Sequence, residues 1–171
     1  MRGRADDPDI EAAERALVGA LDLTQSINAW EGRCPLNPLA DLDAGKLSAS
    51  AKDRLKTAEA MTQRQYSDLI ARRANVRAIY EKAAGRYDAV VTLGACGAAP
   101  VGLGSTGNTA MNVAASLLGC PALTLPLLSD EGLPLGLQLL GGMGRDAALF
   151  ETSAWVADTG FGRGDLVGGI A

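Results

Sequence analysis

The segment LGCPALTLPLLSDEGLPLGLQLLGG, residues 118–142, constrains this chain more than any other stretch. Two short apolar runs, PALTLP (121–126) and LGLQLL (135–140), flank the turn residues SDEG (129–132), an order that predicts a β-hairpin. DAVVTL (88–93) is a third short, valine-rich run and predicts a buried strand. Between it and the hairpin lie a glycine-rich loop over 94–107 and an alanine-faced helix over Asn108–Leu118, closed by Gly119. Strand, helix, strand implies a right-handed parallel crossover. Followed by a hairpin, it gives a mixed β-sheet with flanking helices, α/β in class. The three runs are apolar enough to be covered on both faces.

The remaining pattern is helical. Ile10, Ala13, Leu17 and Leu21 recur at helical spacing in residues 9–24. From Gln25 to Lys46 the pattern dissolves, with Gly32, Pro35, Pro38 and Gly45 as breakers, and Trp30 and Leu39 are expected to anchor an irregular segment. Ser50 followed by Asp53 reads as a helix start, and Leu55, Ala58, Tyr66, Leu69, Val76 and Tyr80 continue one stripe to a stop at Gly85. That predicts a single helix of about eight or nine turns. A last amphipathic helix is expected over Arg145–Asp158, with Asp146 at its positive end and Phe150 and Trp155 in packing roles. Residues 1–46 thus read as an N-terminal helix with an irregular segment, and 47–171 as the main body.

Composition narrows the chemistry. With 171 residues and 47% hydrophobic content the chain can bury a core. A net charge of −4 argues against nucleic acid as a partner. No apolar run approaches the ~20 residues of a membrane span, and the first residues lack the apolar core of a secretory signal, so the expected location is cytoplasmic. Cys34, Cys96 and Cys120 form no paired motif and read as reduced thiols. There is no histidine. Ser-His-Asp and Cys-His catalysis are therefore excluded, as are zinc sites that lean on imidazole, and no cofactor or metal is expected.

One serine invites attention. Ser105 sits in VGLGSTGNTAMN, and a nucleophilic role would need a lysine such as Lys82 as its base. The competing reading makes Ser105 or Thr106 the cap of the helix from Asn108, with Gly107 supplying a backbone conformation other residues avoid. Asn108 and Asn112, four apart, would share a helical face and either meet a ligand or tie the loop to the helix. Gln138 is expected to satisfy a neighbour across the sheet.

From about Leu47 onward the chain resembles the C-terminal part of the amidase signature family. The resemblance rests on the helix with Tyr66, Arg72, Arg73 and Arg77, on YDAVVTLGACGAAP, on STGNTAMN, on the 118–142 segment, and on Arg145–Asp146. It implies a reaction class, hydrolysis of a carboxylic amide to an acid and ammonia or an amine. In that family the chemistry belongs to a nucleophilic serine, a bridging serine and a lysine, in segments of the N-terminal half that this sequence does not contain. The resemblance thus implies no catalytic residue here and inactivity of the isolated chain. It places Ser105, Thr106, Gly107, Asn108 and Asn112 at the edge of a substrate pocket. The implied ligand is a small amide, bound once an N-terminal half completes the pocket, and the implied association is with that half or with a second copy. The alternative is a stand-alone, non-catalytic binding module or one half of a split amidase.

Overall fold

A computed structural model of the chain describes residues 6–159. Six α-helices and three strands follow in the order α1 (Pro8–Leu17), α2 (Ala20–Asp43), a 3-10 turn (Ala44–Lys46), α3 (Ala49–Glu59), α4 (Gln63–Ala84), β1 (Val90–Leu93), α5 (Ala110–Leu118), β2 (Ala122–Asp130), β3 (Leu133–Leu140) and α6 (Asp146–Thr159). The α/β class expected from the sequence is the class observed.

The hairpin forms as expected, but its turn is tighter. Asp130 pairs with Leu133, leaving Glu131 (φ 50°) and Gly132 (φ 76°) as two central residues in the left-handed region. That is the twist a two-residue hairpin requires. The sheet order is β1-β3-β2 and both ladders are antiparallel. β1 and β2 therefore run the same way, as the crossover through α5 implied. β3 lies between them, so no parallel ladder forms among the described residues. The sequence leaves open on which side of β2 the hairpin folds back, and β1 supplies the second partner there.

The period-2 alternation of β3 divides the molecule. Leu135, Leu137 and Leu139 face α6 and pack with its Leu149 and Val156. Leu140 belongs to the opposite core, formed by Leu23 and Ile27 of α2, Val76, Tyr80 and Ala84 of α4, and Leu117 and Leu118 of α5. Helices α1 and α2 thus share a core with the rest.

Two helix expectations are corrected. The segment 25–46 is not irregular: α2 runs to Asp43 through Pro35 and Pro38. Its buried Leu23, Ile27, Ala29 and Trp30 give it a tertiary face, and packing overrides a weak local signal. Trp30 stacks on Tyr66 of α4 (5.2 Å between centroids, 13° between planes), and the Arg33 guanidinium lies over the Trp30 ring (3.2 Å to its centroid). Leu39, expected as an anchor, is exposed. The long helix from Ser50 is two helices. Ser48, not Ser50, caps α3 by accepting from the Ala51 N–H (3.2 Å). The chain then breaks at Ala60–Thr62 and restarts with a capping box, in which the Thr62 hydroxyl accepts from the Gln65 N–H and the Gln65 side chain accepts from the Thr62 N–H.

α1 is held to α4 electrostatically. Asp7, buried, accepts from the Tyr87 hydroxyl, Arg86 and its own Asp9 N–H, while Asp9 accepts from Lys82 (2.7 Å) and Arg86 (2.9 Å). The Tyr87 hydrogen bond holds the Asp7 carboxyl below the usual carboxylate range, and the Lys82 ammonium does the same for Asp9.

Candidate functional site

The candidate site is the loop between β1 and α5. Its base is fixed where the loop leaves the sheet. The Gly94 N–H donates to the Gly136 carbonyl (2.7 Å), and a Cβ on Gly94 would stand 2.9 Å from the Thr124 methyl. A Cβ on Gly136 would collide with that methyl outright. Both glycines are thus required by the close passage of three strands. Further on, the Ala98 N–H donates to the Asp130 carboxylate (2.8 Å), which ties the loop to the end of β2.

The far half of the loop stands in solvent. Val101 and Leu103 are fully exposed, and Ser105, Thr106 and Asn108 are exposed as well. Gly107 has φ 87° with the Pro100 ring 3.5 Å from where a side chain would begin, so its glycine character is required as expected.

The capping expectation is corrected. The Ser105 hydroxyl accepts from the Gly107 N–H (3.1 Å), a bond internal to the loop. α5 begins two residues later than expected, at Ala110, and it is the Asn108 side chain that accepts from the Ala110 N–H (2.9 Å). Asn108 lies before the first helical residue, so it does not share a helical face with Asn112. Asn112 instead reaches the sheet and accepts from the Gln138 side chain (3.3 Å). Gln138 is buried, opposite Thr92 on one side and Thr124 on the other, so its expected role toward a neighbour is observed.

The structure does not bring Lys82 to Ser105. The Lys82 ammonium is committed to Asp9 at the α1–α4 junction. Cys34 and Cys96 are exposed, and Cys120 is a half-buried thiol that burial pushes up, which disfavours the nucleophilic thiolate. Among the described residues no group of three or more Cys, Asp or Glu side chains is arranged to hold a metal ion. Two clefts lie away from the loop. One of about 430 Å³ opens between α2, α3 and α4 beside Thr57, Met61 and Asp68, and one of about 120 Å³ lies beside Thr24, Glu31, Arg73 and Ser116. Neither contains a residue expected at the pocket edge. Phe150 and Trp155 of α6, expected to be in packing roles, are both exposed. No described helix is long and apolar enough to cross a membrane.

Arginines of the α4 helix hold the other end of α5. Arg73 Nε (2.8 Å) and Arg77 Nε (3.3 Å) both donate to the Leu117 carbonyl. Two cations at the negative end of a helix satisfy an orphan acceptor and favour the local field. Burial and the neighbouring Arg73 charge both lower the Arg77 pKa from its usual value. Gly119 (φ 67°) then turns the chain into β2. The result is an α5 fixed at both ends, by Asn112–Gln138 near its start and by Arg73 and Arg77 at its finish. Sequence reasoning flagged these arginines without assigning them this role. Charged residues spaced by four on the buried side of a helix were the available signal.

No protein-family model matches the chain, and no curated protein matches it by sequence. Solved structures do. A crystal structure of an amidase aligns with a TM-score of 0.71 and 25% identity, covering 84% of this chain and 36% of that one. The inhibitor-bound structure of a vestigial protein complex, described as revealing the origins of an s-triazine catabolic enzyme, aligns at 0.67 and 19% identity over 89% of this chain and 40% of that one. A 6-aminohexanoate cyclic dimer hydrolase in complex with substrate aligns at 0.58 and 18% identity over 89% and 42%. The chain therefore spans about two-fifths of the length of the structures it resembles. The matched share, 84% of 171 residues, is more than 47–171 alone contains, so the likeness reaches into the first 46 residues. The resemblance to the amidase signature family seen in the sequence is thus matched in three dimensions, and this chain has the fold of part of an amidase.

Proposed function

We propose that this chain is the C-terminal part of an amide hydrolase of the amidase signature type and lines one edge of its substrate pocket. The observation that carries this reading is the coverage: most of this chain aligns with an amidase, but only 36% of the amidase aligns with this chain. Ser105, Thr106, Gly107, Asn108 and Asn112 then border the pocket, on a loop and helix anchored at the Gly94 base and at both ends of α5. The substrate is a small carboxylic amide. The Ser-Ser-Lys constellation that would cleave it is supplied by residues outside this chain, and the setting is cytoplasmic. In this reading the part of the amidase domain that this chain supplies is not confined to 47–171 but takes in helices α1 and α2 as well.

The test is ammonia release from a panel of aliphatic and aryl amides. The purified chain alone is expected to show no turnover. Turnover that disappears in Ser105→Ala would overturn the reading and place the nucleophile here. A second arm adds the polypeptide encoded directly upstream, where activity gained only on mixing supports the split form.

A further inference from the structure

The smaller cleft, at the junction of α2, α4 and α5, is lined by both signs of charge. Thr24, Ile27 and Glu31 recur at i, i+3 and i+7 on one face of α2, and that face meets Arg73 of α4 and the end of α5. Ile27 and Leu117, both core residues, supply apolar lining. The polar lining is the Thr24 hydroxyl, the Arg73 guanidinium and the Glu31 carboxylate, with the exposed Ser116 beside them.

Each charge is held by its own wall. Arg73 is fixed through Nε, which donates to the Leu117 carbonyl (2.8 Å), and Arg77 shares that acceptor (3.3 Å), so two guanidiniums lie together. Glu31 accepts from the Tyr66 hydroxyl (2.9 Å), whose ring is stacked on Trp30. Among the described residues no carboxylate lies within 4.0 Å of either guanidinium, and no cation lies that close to Glu31. Arg73 and Glu31 thus line one cleft with opposite charges and do not neutralise each other. Thr24 Oγ1 is buried and has no hydrogen-bond partner among the described residues. Polar groups withdrawn from water without partners are costly, and three around one space define the chemistry that would fill it.

We propose that this cleft binds a small zwitterionic amino acid, its carboxylate received by Arg73 and the Thr24 hydroxyl and its ammonium by Glu31. Charge-assisted hydrogen bonds then form at both ends of the ligand. The volume of about 120 Å³ is well below the ~300 Å³ of the smallest sites for drug-sized ligands, which excludes nucleotides and peptides and suits glycine or alanine. A simple anion would be repelled by Glu31, and a simple cation by the two guanidiniums. The binding requires only residues of this chain.

The experiment is a proton–nitrogen NMR titration of the 171-residue chain at neutral pH with glycine or L-alanine, and with acetate and methylammonium at matched ionic strength. Glycine and alanine are expected to shift the Thr24, Glu31 and Leu117 amides saturably, with acetate and methylammonium binding ~10-fold or more weakly. Glu31→Gln keeps an acceptor for Tyr66 but removes the charge, and is expected to weaken glycine binding ~10-fold or more. Thr24→Val deletes the unpartnered hydroxyl, so without ligand it should melt no lower than the parent, yet bind glycine at least ~2-fold more weakly. Absence of saturable shifts would leave the cleft to water and overturn the proposal. Acetate or methylammonium binding as tightly as glycine would reduce the cleft to a single-charge site, and undiminished binding in Glu31→Gln would place the ammonium elsewhere. Either result overturns it. A lowered melting midpoint in Thr24→Val would show the hydroxyl already bonded within the fold and overturn its place in the site.

Discussion

Replacing Tyr80 with phenylalanine isolates one buried hydrogen bond. Tyr80 lies near the C-terminal end of α4, almost wholly buried, and its hydroxyl donates to the Gly141 carbonyl (2.9 Å) just past the end of β3. Burial raises its pKa above the usual tyrosine value, so the hydroxyl keeps its proton and stays a donor at neutral pH. Tyr80→Phe keeps the ring and its packing and deletes only the donor. Gly141 is itself buried, so its carbonyl loses this partner without gaining free access to water. Leaving a buried acceptor short of its donor costs ~1–3 kcal/mol. For a chain of this size that lowers the melting midpoint by roughly 2–12 °C. Urea unfolding should show a lower midpoint with an unchanged m-value. Tyr66→Phe is the internal contrast, since its hydroxyl bonds Glu31 (2.9 Å) in an exposed setting and its loss should cost ~0.5 kcal/mol or less. A Tyr80→Phe loss no larger than that of Tyr66→Phe would refute the reasoning.

Three further outcomes are expected. Asp7 and Asp9 have depressed folded-state pKa values, so their stabilisation is fully present above the ordinary carboxylate value of about 3.9 and is lost as pH falls through the lower folded values. Urea unfolding at about pH 7 and pH 3 should therefore show a larger acid loss for the parent than for Asp7→Asn. In the loop, Asn108→Ala should cost ~0.5–1 kcal/mol by freeing the Ala110 N–H, and Ser105→Ala less. Gly107→Val should cost more than either, by ~1–2 kcal/mol, and thermal melts that rank Ser105→Ala worst would restore it as the cap. At the loop base, Gly94→Ala should be destabilising because its new methyl meets the Thr124 methyl and, less closely, the Gly136 backbone, and Thr124→Ser, which lacks that methyl, should rescue it in part. Absence of rescue would locate the strain elsewhere.

What was legible in the sequence was local. The hairpin of 118–142 announced itself because turn residues between two apolar runs admit few other structures. Gly119 and Gly107 marked places where φ is positive, since only glycine takes those angles at no steric cost. The Thr62-x-x-Gln65 capping box was also in the sequence, but a continuous stripe from Leu55 to Tyr80 masked it. The stripe survives in part because α3 and α4 both have a buried side.

Other features depended on contacts between distant residues, which periodicity does not encode. Pro35 and Pro38 signal a break, yet α2 continues through them because its buried face and its packing on α3 outweigh local propensity. Which hydroxyl or amide caps α5 depended on where the helix began, a difference of two residues that composition cannot resolve. Lys82 was available to Ser105 on paper. Only the docking of α1 showed that its charge is spent on Asp9. The sequence by itself determined the strands, the class and the lack of imidazole chemistry, because these follow from residue type and short-range pattern. The tertiary structure decided the antiparallel order with β3 in the centre and the pairing of Asn112 with Gln138. Each of these depends on which surfaces meet, and that is set by burial summed over the whole chain.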